Sequence, residues 1–148
     1  MVFVRTIQPG EASDWERMRQ KLWPSPTAGH AREIAAFFHG DRSDPAEVLV
    51  AVGEGGELIG FAETTIRSHV EGCRPGRVAY LEGWFVEEGH RGQGVGAALM
   101  QAVEEWGQAQ GCTELGSDTE LANARGAAAH RALGFTEVER IVCLRKSL

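Results

Sequence analysis

The chain has 148 residues, a net charge of −6, 24% charged residues and 43% hydrophobic residues. That length fits one domain with a real core and leaves no second domain to expect. No run approaches the ~20 apolar residues of a membrane span, and the acidic balance argues against a nucleic-acid partner, which needs a basic stripe. Met1-Val2-Phe3-Val4-Arg5-Thr6 is too short, and lacks the basic leader, for a secretory signal. Cys73, Cys112 and Cys143 lie far apart and outside any paired spacing, so neither a disulfide framework nor a metal site is expected, and a reducing cytoplasm fits.

Val2 to Gln8 predicts a short strand closed by Pro9-Gly10. Ser13-Asp14-Trp15-Glu16 has the form of a capping box, and Trp15, Met18, Arg19 and Leu22 recur at helical spacing, so a first helix is expected to run to Leu22. Trp23-Pro24 stops it, and a second helix is expected from Thr27 or His30 to Phe38. Glu47 to Val52 is almost continuously apolar, as in a strand covered on both faces. Glu54-Gly55-Gly56-Glu57 then turns the chain into a returning strand, Leu58 to Ser68, followed by a polar loop from Val70 to Arg77. In Val78 to Val86, alternation places Val78, Tyr80, Glu82, Trp84 and Val86 on one face, which puts a carboxylate in an apolar row. Val95, Ala98, Leu99, Ala102, Val103, Trp106 and Ala109 keep a helical stripe that ends at Gly111. Cys112 to Ser117 reads as a strand, Asn123 to Leu133 as a helix ended by Gly134, and Val138 to Arg145 as a last strand. The order β-α-α-β-β-β-α-β-α-β predicts an α/β (α+β) chain with a mixed, mostly antiparallel sheet and helices packed on it.

Between the fourth strand and the third helix stands Arg91-Gly92-Gln93-Gly94-Val95-Gly96. Alternating glycines allow positive φ and a close backbone approach, and the free N–H groups of a helix's first turn suit a pyrophosphate. Arg91 would add a charge at the rim. Glycines after a strand also simply make turns, so this motif alone leaves both readings open. Gly92-Gln93-Gly94-Val95-Gly96-Ala97 further fits a dinucleotide fingerprint, with Asp118 placed as a ribose ligand. Too little chain follows Asp118 for the remaining βαβ units, and the loop comes after some 80 residues of other structure, against the nicotinamide reading.

Arg91-x-x-Gly94-x-Gly96 after a fourth strand, with Leu133-Gly134-Phe135 ending a fourth helix, resembles the GCN5-related N-acetyltransferase (GNAT) family over essentially the whole chain. Within it, Lys21-Leu22-Trp23-Pro24, Ile66-Arg67, Leu81-Glu82-Gly83, Gly111-Cys112, Ser117-Asp118 and His130 to Phe135 are most similar to the aminoglycoside 6′-N-acetyltransferases. The resemblance implies helices on both sheet faces and a V-shaped split between strands 4 and 5 that takes acetyl-CoA. Gln93, Gly94, Val95, Gly96 and Ala97 would offer N–H groups to the pyrophosphate, Phe85 and Val86 would pair with the pantetheine, and Asn123 would hydrogen-bond it. It further implies a small polycationic amine as acceptor, the antibiotic's 6′-amine, with another amine such as a polyamine or peptide as the alternative. A cytoplasmic homodimer is also implied. Ser68-His69-Val70-Glu71-Gly72 departs from the Tyr-Val-Asn-Gly segment that the aminoglycoside enzymes tend to carry here.

An amine attacking a thioester must lose a proton, so a carboxylate within direct or one-water reach is needed. Glu82 is the first candidate; the alternative is an ion pair with Arg67 or Arg77. Asp118 is the second, unless it only caps a turn. Glu82, Asp118 and Glu120 could equally anchor ammonium groups. His130 stands where many relatives carry a tyrosine and could protonate the leaving thiolate, or pack on a helix face. Asn123 could also cap its helix. Trp23, with His30, is expected to flank the amine unless it is core.

Overall fold

The computed structural model describes residues 2–148; Met1 lies outside the described residues. Strands β1 (Phe3–Thr6), β2 (Glu47–Val52), β3 (Leu58–Arg67), β4 (Val78–Val86) and β5 (Leu115–Ser117) form one sheet in the order β1-β2-β3-β4-β5. All neighbours are antiparallel except β4 and β5, which run parallel. Helices α1 (Ala12–Leu22) and α2 (Gly29–Phe38) link β1 to β2, α3 (Val95–Ala109) links β4 to β5, and α4 (Ala124–Ala132) follows β5. No helix among the described residues is long and apolar enough to cross a membrane.

Strand β2 is apolar at successive positions because helices cover both of its faces. Val48 and Val50 join Trp15, Met18, Ile34 and Phe37 of α1 and α2, whereas Leu49 and Ala51 join Val95, Leu99, Met100 and Val103 of α3. The helical stripe of α3 thus has its expected partner, and helices do lie on both faces. Trp15 is wholly buried, with Phe37 and Phe38 edge-on to it at 5.3 and 5.9 Å. Against this apolar packing, the same face buries one ion pair, Arg19 with Glu63.

Two local expectations fail. The capping box forms earlier than Ser13: a short 3-10 turn, Pro9–Glu11, precedes α1, and the Gln8 N–H donates to the Glu11 carboxylate at 2.9 Å. Glu11 also receives Arg5 (2.6 Å), which holds its carboxyl below the usual range and fixes this turn ahead of Ser13. The second failure is the last strand. Residues 138–145 carry no strand, and Val138, Ile141, Val142 and Leu144 are exposed. The apolar pattern there is real, but these side chains stay largely exposed, with Val138 set against Gly72.

Candidate active site

The sheet opens where β4 and β5 part. Their parallel ladder runs only from Ala79 with Leu115 to Leu81 with Ser117, so the β5 side of β4 from Glu82 to Val86 is left without a strand partner among the described residues. On its other side β4 is irregular too: Glu63 pairs with Gly83 but Thr64 with Leu81, making Glu82 the extra residue of a β-bulge. The strict alternation expected for β4 is therefore broken. Trp84 and Val86 turn to the α3 side with Leu81, and Phe85 joins the opposite cluster.

The bulge presents Glu82 to a cluster on the α1 and α2 side. Glu82 Oε1 accepts from Thr65 Oγ1 (2.7 Å), Arg67 Nε (3.0 Å) and Arg67 Nη2 (2.8 Å), and Oε2 accepts from Nη2 at 2.9 Å. The ion pair foreseen for Glu82 thus exists, and its partner is Arg67; burial works against the Arg67 charge, and Glu82 overrides it. The Arg67 guanidinium lies 3.6 Å from the centre of the Tyr80 ring, and the Tyr80 hydroxyl donates to Asp118 Oδ2. Burial, then that hydrogen bond, pushes the Tyr80 phenol well above its ordinary range. Asp44, on the loop before β2, is raised by desolvation and by the negative charges of Glu82 and Glu33. Glu82 and Asp118 are therefore joined through Arg67 and Tyr80, whereas Glu120 is exposed ahead of α4, outside this group.

Trp23 forms a wall of the same recess. Its indole lies over Gly83, where any Cβ would overlap Trp23 Cη2, and it meets Phe61 edge-on at 6.4 Å. His30 does not reach the carboxylates: its Nε2 is 2.7 Å from the Trp23 carbonyl oxygen and its Nδ1 3.2 Å from Arg19 Nη1. It stands behind the indole.

His130, on α4, stands at the parted strands beside Trp84 and Phe135. Its Nδ1 is 2.7 Å from the Gly126 carbonyl, which only accepts, so Nδ1 carries a proton. Its Nε2 then faces Ser117 Oγ at 2.8 Å, and the hydroxyl can turn instead to the Leu81 carbonyl at 3.4 Å. Trp84 and Phe135 stand edge-on to the imidazole at 5.3 and 5.1 Å. Asn123 caps α4, its Oδ1 accepting from the Gly126 N–H at 2.9 Å. The sequence reading missed Tyr80, Asp44 and the Ser117 hydroxyl as site groups; Tyr80 carried a cue in sharing a face of β4 with Glu82, and Ser117 in standing beside Asp118 at a strand end, whereas Asp44 is brought in only by loop packing.

The glycine loop has the geometry of an anion nest. Gly92 and Gly94 have φ of 73° and 84°, and Gly94 is the N-cap of α3. Gly96 does not need positive φ. It is helical, and a Cβ there would come 3.1 Å from Trp84 Cζ2, while its carbonyl receives Trp84 Nε1–H at 3.2 Å. The first-turn N–H groups of Val95, Gly96 and Ala97 have no intrahelical acceptor and carry the positive end of the helix dipole. Arg91 is turned inward: its Nε donates to the Val86 carbonyl at 2.9 Å, which clips the loop to the end of β4. The Gln93 amide donates to the Gly89 carbonyl at 3.2 Å. These features fit acetyl-CoA: a nest for the pyrophosphate and, beside it, an open strand edge at Phe85 and Val86 for the pantetheine amides.

Comparison with known proteins bears on the same residues. The family model described as "Acetyltransferase (GNAT) family" matches residues 15–135, which takes in α1 from Trp15 onward, the glycine loop and His130. The chain is 48% identical to an aminoglycoside N(6′)-acetyltransferase type 1 of Klebsiella aerogenes over 146 residues, 98% of this chain and 96% of that protein. Among solved structures, it is similar to AAC(6′)-Iy in complex with a bisubstrate analogue, CoA-S-monomethyl-acetylneamine, with a TM-score of 0.91, 34% identity, and 100% and 99% of the two chains covered. It is equally similar to AAC(6′)-Ih from Acinetobacter baumannii, with a TM-score of 0.90, 34% identity, and the same coverage. With a matching family model over most of its length and relatives of this identity and coverage, the chain is an acetyl-CoA-dependent N-acetyltransferase and belongs to the GNAT family.

Proposed function

We propose that the enzyme transfers the acetyl group of acetyl-CoA to the 6′-amine of an aminoglycoside, inactivating the antibiotic, within a single domain and by direct attack in a ternary complex. The observation that carries this reading is the acidic recess beside the β4 bulge, where Glu82 and Asp118 are linked through Arg67 and Tyr80 beneath the Trp23 wall. Such a site offers negative charge and an aromatic surface to a polycationic amino sugar. The relatives named above carry the same activity in their names.

Acetyl-CoA supplies an activated acetyl carbon; the chain's residues place it and move protons around it. The α3 nest and the Phe85–Val86 edge would hold the two ends of the donor, and an N–H of that edge would polarise the thioester carbonyl. Glu82, whose Oε2 receives one hydrogen bond from Arg67 and keeps a lone pair, would accept from an ammonium group of the substrate. Asp118, with one oxygen oriented by Tyr80, takes the proton from the attacking nitrogen. As the C–N bond forms and the C–S bond breaks, the electron pair leaves on sulfur. His130, on taking up a second proton at Nε2, would deliver it there through the Ser117 hydroxyl. Asp44 extends the acidic rim, and Glu120 stands exposed beyond it for a further ammonium group.

Thiol release from acetyl-CoA, measured with a panel of amines, tests this reading. Release is expected with aminoglycosides bearing a 6′-amine and not with those lacking it. Release only with polyamines or a basic peptide overturns the substrate while leaving the acetyl transfer.

We further propose a cytoplasmic homodimer. Cytoplasm is where acetyl-CoA is abundant, and thiols such as Cys73, Cys112 and Cys143 stay reduced there. The dimer rests on the tail. Its apolar side chains are exposed, while the free edge of β5 borders a groove of about 300 Å³ lined by Val70, Cys73, Gly116, Phe135 and Val138. A strand from a second copy would cover both. Sedimentation should give a dimer for the full chain and a monomer for a chain ending at Thr136; a monomeric full chain overturns the dimer.

A further inference from the structure

Resting on the amine site proposed above, we infer that His30 is its positioning residue: held in one tautomer between Arg19 and the Trp23 carbonyl, it sets where the indole stands over β4. A guanidinium only donates, so His30 Nδ1 must accept from Arg19 Nη1 at 3.2 Å. A carbonyl only accepts, so Nε2 must carry the proton that goes to Trp23 O at 2.7 Å. The ring is therefore neutral with its proton on Nε2.

These contacts close a circuit. Glu63 on β3 accepts from Arg19 Nε at 2.6 Å and Nη2 at 2.7 Å, and Trp15 Nε1 donates to the same carboxylate at 3.0 Å. The remaining arm of Arg19 reaches Glu33 at 2.6 Å and His30, and its guanidinium lies 5.5 Å from the Trp23 ring centre. His30 carries the connection to the Trp23 carbonyl. The Trp23 indole then covers Gly83, which is the register partner of Glu63. Pro24 follows, so the next residue offers no N–H to fix the loop. The circuit thus begins and ends on one pair of strand residues, and His30 is the member that reaches the loop. Without His30, Arg19 keeps Glu63 and Glu33, and Trp23 keeps its own N–H bond to the Arg19 carbonyl at 2.7 Å; what is lost is the hold on the Trp23 carbonyl, on the far side of the residue from that bond. His30 acts through Trp23 and does not touch the reacting atoms.

Two variants separate positioning from simple structural support. In His30→Gln the amide can accept from Arg19 and donate to Trp23 O, whereas His30→Leu can do neither. For His30→Leu, KM for the amine is expected to rise about tenfold as the indole shifts, with KM for acetyl-CoA almost unchanged, while the unpaired Trp23 carbonyl lowers the melting temperature by a few degrees at most. His30→Gln should restore the amine KM. In two-dimensional 15N–1H spectra, the Trp23 indole N–H signal should move in His30→Leu and return in His30→Gln, and the wild-type ring nitrogens should show the proton on Nε2. An unchanged amine KM in His30→Leu, no rescue by Gln, parallel rises in both KM values with a fall in melting temperature, or a proton on Nδ1 each overturns the inference. The spectra need no substrate, so they decide the role of His30 even where wild-type enzyme acetylates no aminoglycoside, a result that would sink only the substrate reading.

Discussion

Glu63→Ala is expected to cost about 3–5 kcal/mol of stability, the range found when one partner of a buried ion pair is removed. The side chains of Arg19 and Glu63 are 5% and 2% exposed, and Arg19 gives two of its hydrogen bonds to Glu63. Burial alone would drive the guanidinium toward neutrality; Glu63 first, and Glu33 after it, hold it charged. Glu33 is largely exposed and cannot replace a partner inside the core. The same substitution leaves Trp15 Nε1–H without its acceptor. Urea denaturation of Glu63→Ala, of Arg19→Met and of the double variant Arg19→Met/Glu63→Met tests the account. The double variant should lose less than Glu63→Ala, because no charge is stranded; a larger loss would show that the ion pair itself, and not its stranded half, carries the stability.

Asp118→Asn is expected to lower kcat by about 10²–10³-fold, within the range for removal of a general base, whereas Glu82→Gln should act mainly on KM. The distinction follows from their partners. Glu82 Oε1 receives three hydrogen bonds and is fully taken, while Oε2 receives one and is held in place by Arg67. A fixed oxygen with a lone pair to spare suits an anchor for an ammonium group. Asp118 meets a neutral hydroxyl at one oxygen and stands at the end of β5, across the opening from the bulge. Loss of a binding anchor raises KM for the amine with kcat largely kept. Steady-state kinetics with saturating acetyl-CoA separate the two, and a Glu82→Gln enzyme with intact KM and collapsed kcat would exchange the roles assigned here.

Much of this architecture was legible because local patterns and tertiary needs agree. The stripe of α3, the apolar run of β2 and the glycine turn into β3 each specify an element whose partners exist. The sequence misled where a pattern had more than one physical outcome. Residues 138–144 satisfy a strand's composition, yet a strand needs an edge to pair with, and pairing is not a local property. Ser13-x-x-Glu16 has the letters of a capping box, but the Arg5 contact to Glu11 fixes the turn one step earlier. In β4 the expected alternation gave Glu82 the right isolation for an incomplete reason: the bulge, and not the period of two, turns it toward Arg67. Gly83 was the visible cue, since glycine inside a strand often marks a bulge or a close approach. The circuit through Arg19, Glu63 and His30 joins positions 11 and 44 residues apart, and no spacing rule reaches that far.

Gly83 has a consequence for how such a site can diversify. Its missing Cβ is what admits the Trp23 indole, so an indole at 23 and any side chain at 83 exclude each other. Among relatives with the same strand register, the two positions should therefore covary, a larger residue at 83 accompanying a smaller one at 23. A single substitution at either position would have to pass through a clash or a void, so changes of acceptor range come more readily from the loops around the recess than from its floor.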